Sequence, residues 1–151
     1  MPFSLFRFVG LFVVGCSSVV AQTKTCPKLD SKIVDSKFKP GQVWTYHSRP
    51  GESASTVTIL QVDRMEKIGV VIHVRVDGLR MQNPRHELVP SIEHMPFTRD
   101  AILLSVIDVQ RTVAALPTLE GYDQWRADCG GAYTISVADA VSVAEKTFNA
   151  P

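Results

Sequence analysis

The chain has 151 residues, 45% of them hydrophobic, with 16 Lys and Arg against 15 Asp and Glu for a formal net charge of +1. That length supports one domain with a modest core and not two independent ones. The near-neutral, mixed charge gives no electrostatic case for nucleic acid or an anionic membrane surface as a partner.

Residues 1–21, MPFSLFRFVGLFVVGCSSVVA, carry one basic residue (Arg7), an apolar run, and short residues ahead of the polar Gln22. That order predicts a secretory signal peptide cleaved after Ala21. Its apolar run falls well short of the roughly 20 residues a spanning helix needs, so no transmembrane span is expected in the mature chain. Val13-Val14-Gly15-Cys16 also resembles a bacterial lipobox, in which Cys16 would carry lipid and anchor a structural envelope lipoprotein. Either route exports the chain, to the periplasm or beyond. Either also leaves Cys26 and Cys129 in an oxidising compartment, where they can pair as a disulfide. Loss of residues 1–21 removes only Arg7, leaving 15 basic against 15 acidic residues.

Residues 22–38 are polar and lysine-rich and read as a flexible arm or linker, pinned at Cys26 if the disulfide forms. Residues 39–151 read as a single α+β domain. Pro40-Gly41 signals a turn, and Trp44 and Tyr46 open a first strand. Arg49-Pro50-Gly51-Glu52-Ser53 connects it to a second strand over 55–62, and Asp63 to Gly69 leads into a third over 70–77. Alternation places Trp44, Tyr46, Val57, Ile59, Ile72, Val74 and Val76 on one buried face, and His47, His73, Arg75 and Asp77 on the reverse, open face. Leu79 to Gln82 can add a short fourth strand.

Pro84, Pro90 and Pro96 predict an extended loop between residues 83 and 97. Thr98 is a good N-cap, and Ile102, Leu103, Val106, Ile107 and Val113 recur at helical spacing, which predicts a helix over 99–116. A short helix over 119–128 carries Tyr122 and Trp125 and stops at Gly130-Gly131. Residues 132–135 can form one more strand. Ser136, with Asp139 in the first turn, starts a final helix.

Three catalytic signatures fail on inspection. Gly51-Glu52-Ser53-Ala54-Ser55 lacks the last glycine of a nucleophile elbow, Ser36-Lys37-Phe38-Lys39 lacks the rest of a penicillin-binding set, and Pro90 stands where a zinc-protease motif beginning at His86-Glu87 needs its second histidine. His47, His73, His86 and His94, with Glu87 and Glu93, are suitable donors for zinc but have no distinctive spacing, so no metal or other cofactor is expected. Cys129 beside a histidine would make a nucleophile, but in an exported chain the disulfide with Cys26 outweighs it. The remaining candidates for binding are Arg49 and Glu52 on the first loop, His47, His73 and Arg75 on the open face, and His94.

The strings KPGQVWTYHSRPGESASTVTIL, VIHVRVDGL and IEHMPF, with the region 125–137, resemble small, uncharacterised exported bacterial proteins. The resemblance implies a bacterial source and brings no activity with it. The expectation is therefore an α+β domain, an antiparallel meander of three to four strands packed against two or three helices. Functionally, the absence of a complete catalytic set favours a non-catalytic exported domain binding a protein or envelope component, inhibitor- or immunity-like. The alternative is a small metal-dependent or hydrolytic enzyme using His73, His94 and Glu52.

Overall fold

The computed structural model describes residues 25–151, so the signal peptide and the lipobox at Cys16 that the sequence predicts lie outside the described residues. The elements in chain order are β1 (Leu29–Asp30), β2 (Gln42–Tyr46), β3 (Thr56–Met65), β4 (Gly69–Gln82), β5 (Leu88–Thr98), α1 (Arg99–Ser105), β6 (Val106–Thr112), α2 (Glu120–Ala127) and α3 (Val137–Phe148). The strands form one antiparallel sheet in the order β5-β4-β3-β2-β6, with β1 paired to the end of β3. The class is α+β, as the residue pattern predicts, but the sheet has six strands where three to four were expected.

Three strands were unforeseen: β1 forms within the segment 22–38 read as an arm or linker, and β5 and β6 replace a predicted loop and half of a predicted helix. Residues 88–98 pair with β4 despite Pro90 and Pro96, because β5 is the terminal strand and a proline there forfeits no ladder hydrogen bond on its outer side. The helix expected over 99–116 ends at Ser105, where Val106 turns extended (φ −80°, ψ 151°). Val106, Ile107 and Val109 are β-branched, and pairing with β2 wins over helical periodicity. The strand expected near 132–135 reduces to a parallel bridge between Tyr133 and Phe97. Both predicted caps are present: Thr98 accepts from the amide of Ala101, and Ser136 from that of Asp139.

The main core lies on the face that alternation assigns to Trp44, Tyr46, Val57, Ile59, Ile72, Val74 and Val76. All are buried, and they pack with Ala101 and Ile102 of α1, Val137, Ala140 and Val141 of α3, and Phe38 and Phe97. The segment ahead of β2 is part of this packing: Phe38 is 1% exposed, and Asp35 caps the amides of Lys37 and Phe38 while pairing with Arg99 at 2.6 Å.

A register shift between Ile59 and Gln61 breaks the alternation of β3. Beyond it Val62 joins the main core and Asp63 is delivered to the other face, opposite Val71 in register. That face is not open. α2 lies over it, and His73 is fully buried rather than solvated, while Arg75 and Asp77 remain partly exposed.

Cys26 and Cys129 form a disulfide across a sequence separation of 103, tying the chain ahead of β1 to the end of α2. The bond is compatible with an extracytoplasmic location. Among the described residues no helix is long and apolar enough to cross a membrane. Closing a loop of that length removes denatured-state entropy worth about 5 kcal/mol in the chain-entropy model, of which less is commonly realised. The double variant Cys26→Ser/Cys129→Ser should accordingly lose stability on the order of 2–4 kcal/mol in urea unfolding, with α2 the first element to lose amide-exchange protection. A midpoint unchanged from the oxidised protein would show that the bridge does not stabilise the fold.

Candidate functional site

Between the sheet and α2 lies a layer of polar and aromatic side chains in contact with one another. Asp63 (β3), His73 (β4) and His94 (β5) form a row across three adjacent strands. His73 Nε2 lies 3.2 Å from Asp63 Oδ2, and His73 Nδ1 lies 2.9 Å from His94 Nε2. Asp63 and His73 are both fully buried and His94 is half-buried. The His73–Asp63 contact is oblique and too far out of line to count as a hydrogen bond. It is an electrostatic contact whose sense requires the proton of His73 to sit on Nε2, since a bare nitrogen would face an anionic oxygen.

α2 closes this row. Its sequence EGYDQWRA is polar apart from Tyr122 and Trp125, which stand three residues apart and share the face turned to the sheet. The Tyr122 hydroxyl donates to Asp63 Oδ2 at 2.8 Å, and Gln61 Nε2 donates to Asp63 Oδ1 at 3.1 Å. The Trp125 and Tyr122 rings meet the His73 ring edge-on, with centroids 4.5 Å and 4.9 Å away, and the two imidazoles lie edge to edge and nearly coplanar, their centroids 5.2 Å apart and their planes 13° from parallel. Two glycines permit this approach. A Cβ on Gly121 would lie 2.6 Å from the Cβ of His94, and one on Gly130 would lie 2.0 Å from the Trp125 ring, whose Nε1 donates to the Gly131 carbonyl at 2.8 Å.

Burial sets the charge states. It would raise the Asp63 carboxyl, but the His73, Tyr122 and Gln61 contacts outweigh it and hold Asp63 below the usual carboxylate range. Burial pushes the His73 imidazole down, against the pull of Asp63. It also depresses His94, to about 4, with His73 adding to the effect. At neutral pH the row is therefore one carboxylate and two neutral imidazoles.

His94 also walls a pocket of about 500 Å³ at the outer edge of β5, together with Ile92, Pro96, Trp125, Ala132 and Tyr133. The strip around Tyr133 covers that edge beside Pro96 and Thr98 through two backbone hydrogen bonds of 2.9 Å. The pocket lies alongside residues 92–96, with aromatic and aliphatic walls and two ionisable side chains, the His94 imidazole and the Tyr133 phenol.

The other residues singled out from sequence do not join this site. Glu52 is buried in a bidentate pair with Arg49, at 2.5 and 2.9 Å, and accepts the amide of Arg80 at 2.7 Å. Arg49 reaches on to Glu145 of α3 at 2.6 Å, so the first loop is a clamp between the hairpin and the C-terminal helix. Burial would raise the Glu52 carboxyl, but Arg49 and the Arg80 amide hold it below its ordinary value. His47 is exposed, and Arg75 pairs with Asp77 at 2.7 Å and with Glu93 on the surface. His73 and His94 do meet, but Glu52, the third member of the alternative catalytic set, is held elsewhere. Asp63, Tyr122 and Trp125 are not singled out by sequence as site residues; the available signals are a carboxylate inside an apolar strand and two aromatics on one face of a polar helix. Among the described residues no three His, Cys, Asp or Glu side chains converge to hold a metal ion.

Comparison with protein-family models, with curated proteins and with solved structures finds no match.

Two measurements test this geometry. The folded state keeps His94 neutral down to about pH 4, whereas the unfolded chain protonates it near 6.5. Stability is therefore full above pH 6.5 and lost as pH falls from there toward 4. Each pH unit in that interval is worth up to about 1.4 kcal/mol, so the whole loss is on the order of 3 kcal/mol at most, less whatever solvent screens at the half-buried ring. Carboxylate linkage begins only below about pH 4.5. Urea unfolding between pH 7 and 5 should thus show a fall of about 1–2 kcal/mol that His94→Gln reduces. A flat profile in that window would contradict the buried neutral pair. Second, Gly121→Ala should destabilise by about 1–2 kcal/mol, although alanine at an unconstrained helix position stabilises by about 0.5–1 kcal/mol. A stabilised variant would mean that α2 is not held against His94.

Proposed function

We propose that the protein is an exported binding domain, periplasmic or secreted, that holds an extended segment of a protein partner along the outer edge of β5, with one side chain of that segment in the His94 pocket. The supporting observation is the place of the pocket. It opens beside the terminal strand of the sheet, where among the described residues no strand pairs with the outer side of β5 between Ile92 and Met95. A terminal strand offers main-chain groups to an added strand, and a pocket beside it reads a side chain. An inhibitor- or immunity-like role fits this mode of recognition.

The chemistry of the pocket favours binding over turnover. Its walls carry no serine, threonine or cysteine to serve as a nucleophile. His94, depressed to about 4, is a weak base at neutral pH, where a general base works best with a pKa close to the operating value. Largely apolar walls with a few polar groups, here the His94 imidazole and the Tyr133 hydroxyl, are the usual make-up of a recognition pocket.

Selection of random extended peptides against the mature, oxidised chain tests the reading. Binders should perturb amide resonances of residues 92–96 and 131–133. Ala132→Trp, which fills the pocket from its wall, should weaken them at least about tenfold, a loss of roughly 1.4 kcal/mol. Binders that map to β6, or that tolerate Ala132→Trp, would overturn it.

A further inference from the structure

We propose that Asp63 acts through His73 to fix the tautomer of His94, so that the pocket takes a neutral group carrying a hydrogen-bond donor on an apolar or aromatic body, such as a phenol, an indole or an aliphatic hydroxyl. The inference deepens the pocket reading above and rests on it for the ligand.

The protons of the row can be placed one at a time. Asp63 is an acceptor on both oxygens and already receives Tyr122 and Gln61. His73 Nε2, 3.2 Å from the same carboxylate and sealed from solvent, must bear the proton, because a lone pair there would face a buried anion. A neutral imidazole has one N–H, so His73 Nδ1 is left as an acceptor. The 2.9 Å bond between His73 Nδ1 and His94 Nε2 then has a fixed direction, with His94 donating. That consumes the single proton of His94, and its Nδ1 is bare.

This last nitrogen is the exposed end of the row. Nδ1 of His94 has no hydrogen-bond partner among the described residues and is not sealed from solvent, while the residue itself lines the pocket. The pocket thus presents an acceptor, with no Lys or Arg in its walls to balance an anion. A carboxylate or phosphate would meet a lone pair, and an aliphatic group would leave the acceptor unpaired. A donor on an apolar body satisfies both the nitrogen and the walls, and a site built for a hydrogen bond strongly rejects the analogue lacking it. Asp63 touches no ligand. It is a positioning residue, and its identity as carboxylate rather than amide decides the sense of the whole row. In Asp63→Asn the introduced N–H₂ replaces the anion facing His73 Nε2, which can then be the bare nitrogen; the His73–His94 bond reverses and His94 Nδ1 becomes a donor.

Long-range ¹H–¹⁵N correlation on the mature, oxidised chain at pH 7.5 reads the tautomers directly. The expected result is a protonated Nε2 and bare Nδ1 on both histidines, with both assignments inverted in Asp63→Asn. Binding is read with indole, 1-methylindole and acetophenone through the amide resonances of Ala132 and Tyr133. Indole should bind about tenfold or more tighter than 1-methylindole, which lacks the donor, and tighter than acetophenone, which offers only an acceptor. Asp63→Asn should invert the order of indole and acetophenone. A protonated His94 Nδ1 in the parent protein, or tautomers unmoved by the substitution, would overturn the relay. Tautomers as expected with no probe shifting the pocket resonances would instead overturn the pocket reading, and with it the ligand class. Should Asp63→Asn fail to fold, the parent tautomers and the indole to 1-methylindole ratio still decide between these outcomes.

Discussion

A single carboxylate buried in the sheet constrains the second face of this protein. Asp63 is fully buried, and an isolated charge in that environment would cost several kcal/mol. The cost is offset only because three groups converge on it from three elements: Gln61 from its own strand, His73 from β4 and Tyr122 from α2. The contact with Tyr122 fixes the height and rotation of α2 over the sheet. The disulfide at Cys129 holds the end of the same helix, and Ser31, just beyond β1, lies 3.4 Å from the Tyr122 hydroxyl. A side chain at 63 with no polar partner for Tyr122 would therefore loosen α2 and the segment that runs beneath it.

The two faces of the sheet do different work. The main core is a continuous apolar cluster from Phe38 to Val141 and supplies the burial that folds the chain. The second face buries less and is more specific, because its groups must meet in pairs. Ion pairs outside it reinforce the first layer: Arg49 bridges Glu52 and Glu145, fastening the β2–β3 loop to α3. Such a buried pair contributes more to fixing geometry than to net stability, since desolvation cancels much of the attraction. The loop whose residue types suggest binding thus fastens the hairpin to α3, while the row of Asp63, His73 and His94 lies under α2.

What was legible in the sequence followed from local periodicity. Alternation in VWTY, VTIL and VVIHVRV placed the core face correctly, the caps at Thr98 and Ser136 follow from side-chain chemistry, and the expectation of export, with two cysteines beyond the predicted signal, implied the bridge. What was not legible depended on long-range pairing. Pro90 and Pro96 argue against a strand until β5 is known to be terminal. Ile102 to Val113 fits a helix until β2 offers Val106 and Val109 a partner. The decisive case is the register shift at Ile59 and Gln61. Strict alternation would send Val62 outward and Asp63 into the main core; the bulge exchanges them and aims Asp63 at His73. A one-residue irregularity leaves no compositional mark, and without it the histidines look like open-face residues.

The row of three that this bulge assembles resembles a catalytic relay but differs from one in where its charge can go. A relay that drives catalysis needs its terminal imidazole to gain a proton readily during turnover, with the carboxylate stabilising the cation. Here the carboxylate is one imidazole removed from the pocket, and its two oxygens are already engaged by Tyr122 and Gln61. The intervening His73 ring is packed between aromatic edges where a positive charge would lose its hydration. Burial would strip a charge on His94 of its hydration, and charge on His73 would add repulsion, which is the physical content of its depressed basicity. An imidazole that stays neutral and keeps one orientation is a poor proton shuttle and a well-defined hydrogen-bond acceptor. The sheet and α2 spend their buried polar groups on holding that state.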